Sequence, residues 1–363
     1  MLEMLNRWYR RKFSDPAAVT LSFILLSGFA IIYFFGGLLA PILTAIVIAF
    51  LLEWPVSQLS KRGLPRGLSA SLVLMSFVGV SLLVILVAVP IIWQQAFNLV
   101  KELPSMIGEA QIYLSALPEK YPGLIQVEQI DNLMATLRTK IIEMGEGIIS
   151  MSLNSLVSLV ALLVYAILVP LLLFFFLKDK DILLSSLDRF LPTNRDLAYQ
   201  VGREMNGQIM NYIRGKVIEI LIVGGASYIT FVVMDLRYPA LLGLLVGFSV
   251  LIPYIGATVV TIPVAMVALF QWGLGPEFWY LMLAYAIIQV LDGNVLVPIL
   301  FSEAVNLHPV AIIVAVLFFG GVWGFWGVFF AIPLATLVKA VVNAWPTHAS
   351  HEEPPPDENE ASA

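Results

Sequence analysis

Cysteine is absent from the 363 residues, histidine occurs three times, and charged side chains make up only 12% of the chain. The first absence removes disulfides, thiolate zinc sites, iron–sulfur clusters and cysteine nucleophiles. Two of the three histidines, His348 and His351, sit in a polar tail, which leaves little for histidine-based metal chemistry. No H-E-x-x-H, G-x-S-x-G, Walker A or dinucleotide-binding motif occurs. Gly225-Ala226-Ser227 with a distant His308 faintly echoes an intramembrane serine protease, but Gly-x-Ser is ordinary packing chemistry in a membrane helix. The chain therefore reads as a non-enzyme without metal or cofactor, apart from a possible coupling proton or sodium ion. A formal net charge of −5 lacks the cation surplus that phosphate backbones demand, so no nucleic-acid partner is expected.

What the chain has in abundance is apolar side chains, 60% of the total, against about 45–50% in an ordinary soluble domain. So few charges cannot cover a soluble surface of this size, and the solvent for most of the chain is the lipid bilayer. About 20 apolar residues in a helix cross the hydrocarbon. An apolar run from Ala17 to Phe35 is longer than a signal-peptide core and lacks a clear cleavage site, so it reads as an uncleaved membrane helix. Further windows lie at 38–52, 68–92, 152–177, 217–234, 239–270, 278–301 and 309–342. The expected fold is an all-α, polytopic membrane protein with about eight hydrophobic segments.

Two stretches break the apolar pattern. In 93–151, Phe97, Val100, Leu103, Ile107, Ala110 and Leu114 recur at helical spacing, as do Ile130, Leu133, Leu137, Ile141, Met144 and Ile148. In 178–216, Leu197, Val201, Met205, Ile209 and Tyr212 share one face, after a helix-stopping Pro192. Both are amphipathic helices outside the bilayer core. Of the 20 Lys and Arg residues, most fall in the first twelve positions, at 61–66 and in 178–216, which the positive-inside rule makes cytoplasmic. The expected organisation is a basic segment with three membrane helices (1–92), extracytoplasmic helices (93–151), a membrane helix (152–177), cytoplasmic helices (178–216), a transport repeat (217–345) and a disordered acidic tail (346–363). Both termini are then cytoplasmic, in a bacterial inner membrane.

The second half repeats itself. A shift of 70 residues superposes Tyr238-Pro239 on His308-Pro309, and Thr261-Ile262-Pro263-Val264-Ala265 on Ala331-Ile332-Pro333-Leu334-Ala335. The repeated unit is one membrane helix followed by a long, interrupted apolar segment. Residues 239–270 as one straight helix would measure about 48 Å against a hydrocarbon core of about 30 Å. Pro253-Tyr254-Ile255-Gly256 breaks the first copy, and the glycines Gly320 and Gly324 break the second. Interrupted backbone at membrane depth is tolerated only inside protein or against a water-filled cavity, and paired interruptions in two repeats point to a transport site. Re-entrant hairpins make the second unit inverted relative to the first; full spans make the units parallel. Charge counting does not choose between them, and the re-entrant form is preferred.

Ionisable groups in membrane windows are costly and mark function. Asp292 lies deep in 278–301, with Gln289 three residues before it on the same helix face and Asn294 two beyond. Together they concentrate side-chain oxygens for a proton, a small cation or a hydroxylated solute. Glu219 matches Gln289 in the other copy and also reads as an interfacial carboxylate paired with Arg214 or Lys216. Tyr254 and Thr258, with Thr261, cluster at the first break and offer hydroxyls to a solute. Pro253, Gly256, Pro263, Gly320, Gly324 and Pro333 form the interrupted backbone. His308 reads as a helix cap, and Glu53, beside Trp54 and Pro55, as an interface anchor.

Ile252-Pro253-Tyr254-Ile255-Gly256, Ile262-Pro263, Gly293-Asn294 with Pro298, Leu307-His308-Pro309, the glycines 320, 324 and 327, and Ala331-Ile332-Pro333 together resemble the autoinducer-2 exporter (AI-2E) family of bacterial inner-membrane permeases. The likeness extends over nearly the whole chain, includes the Gly63-Leu64-Pro65-Arg66 loop, and leaves out the tail after Pro346. It implies an eight-span permease forming homo-oligomers, with autoinducer-2-like solutes exported by some members and sodium/proton antiport in others. The expected function is gradient-driven export of a small polar solute by alternating access. A cation/proton antiporter is the alternative. A membrane scaffold that recruits a partner through the extracytoplasmic helices is the second.

Overall fold

A computed structural model describes residues 16–115, 155–190, 196–301 and 307–344, together with isolated helical positions between 128 and 139. The basic first dozen, the amphipathic stripe Ile130 to Ile148, Pro192 and the acidic tail lie outside the described residues. Every described element is helical: α1 (Pro16–Lys61), α2 (Arg66–Ser115), α3 (Ser155–Lys178), α4 (Lys180–Phe190), α5 (Asp196–Val233), α6 (Pro239–Ser249), α7 (Ile255–Trp272), α8 (Pro276–Leu291), a π-helical turn (Asp292–Leu296), α9 (Val297–Phe301), α10 (Pro309–Phe329) and α11 (Ala331–Ala344). Among the described residues, six helices are long and apolar enough to cross a membrane, or seven if the bent pair 162–178 and 180–186 counts as one span. The protein is a polytopic helical membrane protein.

Some helices are longer than the sequence windows suggested. The windows 17–35 and 38–52 fall within one helix, α1, which passes Gly36-Gly37 and contains Pro41 and Pro55. A glycine in a helix costs about 1 kcal/mol, whereas backbone groups released into hydrocarbon cost several each, so continuity wins. For the same reason α2 runs past Pro90 to Ser115, and α5 passes residue 216 without a break.

The chain divides into two units. The larger comprises residues 40–180 and 211–304. One of its cores joins α1, α2 and α3 through Val56, Ala70, Val73, Leu173 and Leu177. Their basic ends are tied together by ions. Arg66 Nη2 donates to both Glu53 carboxylate oxygens at 3.1 Å, Arg66 Nε donates to the Leu177 carbonyl at 2.9 Å, and Lys180 Nζ reaches Glu53 at 3.2 Å. Glu53, expected as an interface anchor, is thus the centre of a cluster that puts the 61–66 loop and the start of the 178–216 segment at one end of the unit.

The other core holds the first interrupted segment. Val223 and Phe231 of α5, Leu242 and Val246 of α6, Val260, Val264 and Val267 of α7, and Leu281 and Tyr285 of α8 pack together. Helix α6 lies on α5 along a seam of small residues. A Cβ on Gly224 would stand 3.1 Å from Gly247 Cα, and one on Gly243 would stand 2.8 Å from Tyr228 Cβ. Such a seam lets helix backbones approach where no water exists to drive association.

The direction of α7 settles the first segment's path. Gln271 Nε2, at the end of α7, donates to the Asp235 carbonyl at 2.6 Å, and Gln271 Oε1 accepts from the Arg237 amide at 2.8 Å. The end of α7 is therefore beside the start of α6, and the segment is a hairpin that returns to its own origin. Its root rests on α2: Gln95 Oε1 accepts from the Leu241 amide at 2.9 Å, one of the free donors of the first turn of α6, and Glu102 lies 3.4 Å from Arg237 Nη1. Burial, then the Glu102 hydrogen bond and charge, push the Tyr238 phenol up to about 12, so it stays a neutral donor to Glu102. Gln95 lies about 44 Å along α2 from Arg66, which sets the hairpin root at the end of the unit opposite the basic cluster.

The smaller unit comprises residues 1–39, 181–210 and 305–363, and its described core joins Leu21, Val201, Met205 and Ala340. It holds the second interrupted segment, and the reversal recurs there with closely matching geometry. Tyr254 (φ 64°) and Gly324 (φ 58°), 70 residues apart, are the left-handed points of the two reversals. A Cβ on Gly256 would collide with the Ser249 carbonyl, and one on Gly327 with the Phe319 carbonyl, so each turn closes only around a glycine. Ser249 and Phe319 are also 70 apart, whereas the glycines are 71 apart, one residue more in the second turn. Pro263 sits inside α7; Pro333 falls in the first turn of α11, where its missing N–H is not needed. His308 caps α10, its Nδ1 accepting from the Val310 amide at 3.3 Å.

Because the chain has no cysteine, single introduced thiols report its sidedness directly. Leu274→Cys, at the hairpin root, and Gly63→Cys, in the basic loop, are expected to react with a membrane-impermeant maleimide from opposite faces of sealed vesicles. Gly256→Ala is expected to lower the thermal midpoint in detergent by several degrees, for about 1–3 kcal/mol of overpacking. Gly225→Ala, where nothing lies within 4 Å, should leave it unchanged.

Candidate transport site at the tip of the first hairpin

Where α6 ends, its last carbonyls lose their helical partners. The turn satisfies its own amides locally: Leu251 donates to Phe248, Ile252 to Ser249, Ile255 to Pro253 and Gly256 to Ile252. The break is therefore less needy of donors than a bare interruption would be. The Val250 carbonyl is reached from outside, by Lys216 Nζ of α5 at 2.7 Å.

Lys216 also lies 2.8 Å from Glu219 Oε2, and the two side chains are 4% and 2% exposed, so this is a buried ion pair. The Glu219–Lys216 pairing foreseen at an interface is thus found in the interior, mid-helix in α5. The negative end of the α6 dipole adds to what holds the ammonium there. The Phe301 ring lies with its centroid 5.3 Å from Lys216 Nζ and 5.7 Å from the Tyr212 ring. Gly215 permits this, since a Cβ there would come within 2.6 Å of Phe301 Cε1.

Asp292 enters from the other side. It opens the π-helical turn, a rare local widening that recurs at functional sites. Asp292 is within electrostatic reach of both Lys216 and Glu219. Its Oδ1 and the Nε2 of Gln289 are buried and, among the described residues, have no hydrogen-bond partner. Ser227 Oγ, also buried without a partner among the described residues, lies eleven residues beyond Lys216, about 16 Å further along α5, and is not part of this group. The site thus gathers two carboxylates, one ammonium and an unused amide group at a hairpin tip.

The remaining sequence candidates are placed as follows. Asn294 is exposed and its Nδ2 donates to the Val290 carbonyl at 2.9 Å. Thr258 and Thr261 donate to the Tyr254 and Ala257 carbonyls of their own helix, and Thr261 lies 3.3 Å from the Tyr285 hydroxyl. Tyr254 is exposed at the tip. Gly320, Gly324 and Pro333 belong to the second hairpin, where Trp323 Nε1 is buried between Phe29 and Phe319 and has no hydrogen-bond partner among the described residues. Sequence reasoning missed the role of Lys216 at the tip; its only local signal was a lysine three residues from Glu219 in an otherwise apolar stretch.

A polytopic helical protein with an ion pair buried at a hairpin tip, beside a carboxylate with one buried oxygen that lacks a hydrogen-bond partner among the described residues, has the kind of intramembrane charge found in membrane transport proteins. Comparison with known proteins gives the family. Residues 22–347 match the AI-2E family transporter model, and the chain belongs to that family. It is 56% identical over 346 residues to an Escherichia coli (strain K12) protein named "Putative permease PerM", covering 95% of this chain and 98% of that one. It is also 27% identical over 322 residues to the Bacillus subtilis (strain 168) "Putative transport protein YueF", covering 85% and 84% of the two chains. A Mycobacterium tuberculosis relative, "Putative transport protein MT0215", is 28% identical over 313 residues, covering 85% and 83%. The protein is a multi-pass member of a membrane transporter family.

The charge count of the site gives a stability test. Glu219→Gln or Asp292→Asn alone leaves the ammonium one carboxylate. The double variant leaves it buried without a counter-charge, at a cost of about 3–5 kcal/mol. Unfolding of the purified protein should show the double variant losing more than the two single losses combined; additive losses would mean the three groups do not act together.

Proposed function

We propose that the protein exports a small polar solute from the cytoplasm, driven by a proton or sodium gradient, by alternating access around the two hairpins. The observation that carries this reading is the buried, unbonded Asp292 oxygen beside the Lys216–Glu219 pair. Two carboxylates and one ammonium are neutral together only when one further monovalent positive charge is present, which fits one proton or one sodium ion at Asp292. Gln289 supplies a free amide donor next to it, suited to a hydroxyl or carbonyl oxygen of the solute. Asn294, Tyr254 and Thr258 line the outer part of the path, and an autoinducer-2-like solute fits the family's name and this polar donor set.

The same charge count favours a second reading, sodium/proton exchange at Asp292 with no organic solute. Both readings place the chain in a bacterial inner membrane with both termini cytoplasmic, as a homo-oligomer. The basic 61–66 and 178–180 segments, gathered at one end by Glu53, support the orientation. The root of the first hairpin then faces outward.

Flux into vesicles carrying an imposed pH or sodium gradient, read with a trapped pH dye and radioactive sodium, tests the proposal. Wild-type protein is expected to move protons or sodium, and Asp292→Asn to lose at least about 90% of that movement, the usual scale for removing a group used in every turnover. Undiminished flux in Asp292→Asn would remove this residue from the mechanism. Proton and sodium exchange without any effect of added solute would select the antiporter.

A further inference from the structure

The Lys216 ammonium holds more than an ion pair. It is the link between a side-chain charge on α5 and the main chain of a hairpin tip, at 2.8 Å from Glu219 and 2.7 Å from the Val250 carbonyl. From the structure we infer that Lys216 is a latch: with Asp292 neutral its ammonium pins the hairpin tip through Val250, and when Asp292 ionises the ammonium is drawn across to it and the tip is freed. This rests on Asp292 as the coupling group and adds how its charge would reach the moving backbone.

The surroundings leave few other ways to move this charge. On α5 itself, Tyr212 and Glu219 are the ionisable groups facing Lys216, and Asp292 comes from the π-helical turn. Helices α6, α7 and α9, which form the hairpin and the Phe301 wall, carry no Asp, Glu, Lys, Arg, His or Tyr side chain, and Tyr254 stands exposed in the turn between the first two. Among the described residues the ammonium therefore chooses between two carboxylates. Gly215 lets Phe301 lie against the α5 backbone and cover the ammonium, so that water does not readily take Val250's place as its partner. A lysine suits this task because its charge is compact and rides on a flexible stem with three donor hydrogens. An arginine would hold both carboxylates at once in a rigid fork. With Lys216 on Val250, the hairpin is tied at the tip to α5 and at the root to Gln95 and Glu102 of α2. Because α6 and α7 stay packed on α5 and α8, releasing Lys216 frees the turn between them rather than the helices themselves.

The test uses the full-length protein in sealed vesicles, with Ile255→Cys at the tip as its single thiol and a charged, membrane-impermeant methanethiosulfonate as probe. Labelling rates are compared between about pH 5 and about pH 9, the range over which a buried carboxyl titrates. In an Asp292→Asn background only the thiol's own titration remains, and that profile is the reference. With Asp292 intact, the rate at high pH relative to this reference is expected to rise roughly tenfold, the shift expected of a modest two-state equilibrium. Adding Lys216→Met should give fast labelling at every pH, and Lys216→Arg a rate that no longer changes with pH relative to the reference. Should Lys216→Met not yield folded protein, the Asp292→Asn and Lys216→Arg arms decide alone. A profile with Asp292 intact that equals the reference overturns the latch. Ion flux measured in the same vesicles separates the two ideas. Flux with a pH-insensitive tip removes the latch and leaves the carrier, whereas a pH-responsive tip without flux of any ion or solute removes the carrier.

Discussion

A polypeptide in hydrocarbon has no water to satisfy its amides and carbonyls, and this requirement explains most of what the structure does. It keeps α1 helical through three glycines and two internal prolines, although in water such a sequence would invite a break. It also dictates how a break is made where one exists. The first reversal closes four amides on local carbonyls, and the carbonyl that the turn exposes at Val250 is met by a lysine from a neighbouring helix. That lysine in turn demands a carboxylate, and the carboxylate an environment in which two acids share one base. The candidate site is thus a chain of consequences that begins with an interrupted hydrogen-bond ladder.

Packing follows from the same absence of water. With no hydrophobic drive between helices, close approach does the work, and Gly224, Gly243 and Gly247 supply it on the face that carries α6. Gly256 and Gly327 do so again inside the turns, where a single methyl group would strike a backbone carbonyl. The body of the hairpin is thus held by apolar packing on α5 and α8, and polar contacts are added at its two ends, Gln95 and Glu102 at the root and Lys216 at the tip.

Much of this was legible in the residues. The shortage of charge announces a membrane protein, and prolines and glycines recurring at a 70-residue shift announce two interrupted segments; Tyr254 and Gly324, the two left-handed points, obey that shift. Asp292 and Gln289 share a face because helical spacing puts them there. The return of the first hairpin, preferred from the sequence over a full span, was not fixed by it, because it rests on Gln271 meeting Asp235, a contact across 36 positions that no local pattern announces. The bond from Lys216 to Val250, across 34 positions, escaped for the same reason, and a boundary drawn by composition at 216 set the lysine outside the membrane region. The continuity of α1 escaped because glycine and proline signal a break on the scale of water-soluble helices, which is the wrong scale in lipid.

The central claim is that the tip of the first hairpin is backbone at membrane depth that faces water beside Asp292. Hydrogen–deuterium exchange of the protein reconstituted in lipid vesicles tests it most directly. Amides from Leu251 to Gly256 should exchange at least about tenfold faster than those in the middle of α6 and α7, because local turn bonds open easily where water is present. Protection of 251–256 equal to that of the flanking helices would mean a dry, lipid- or protein-sealed turn, and would contradict the account.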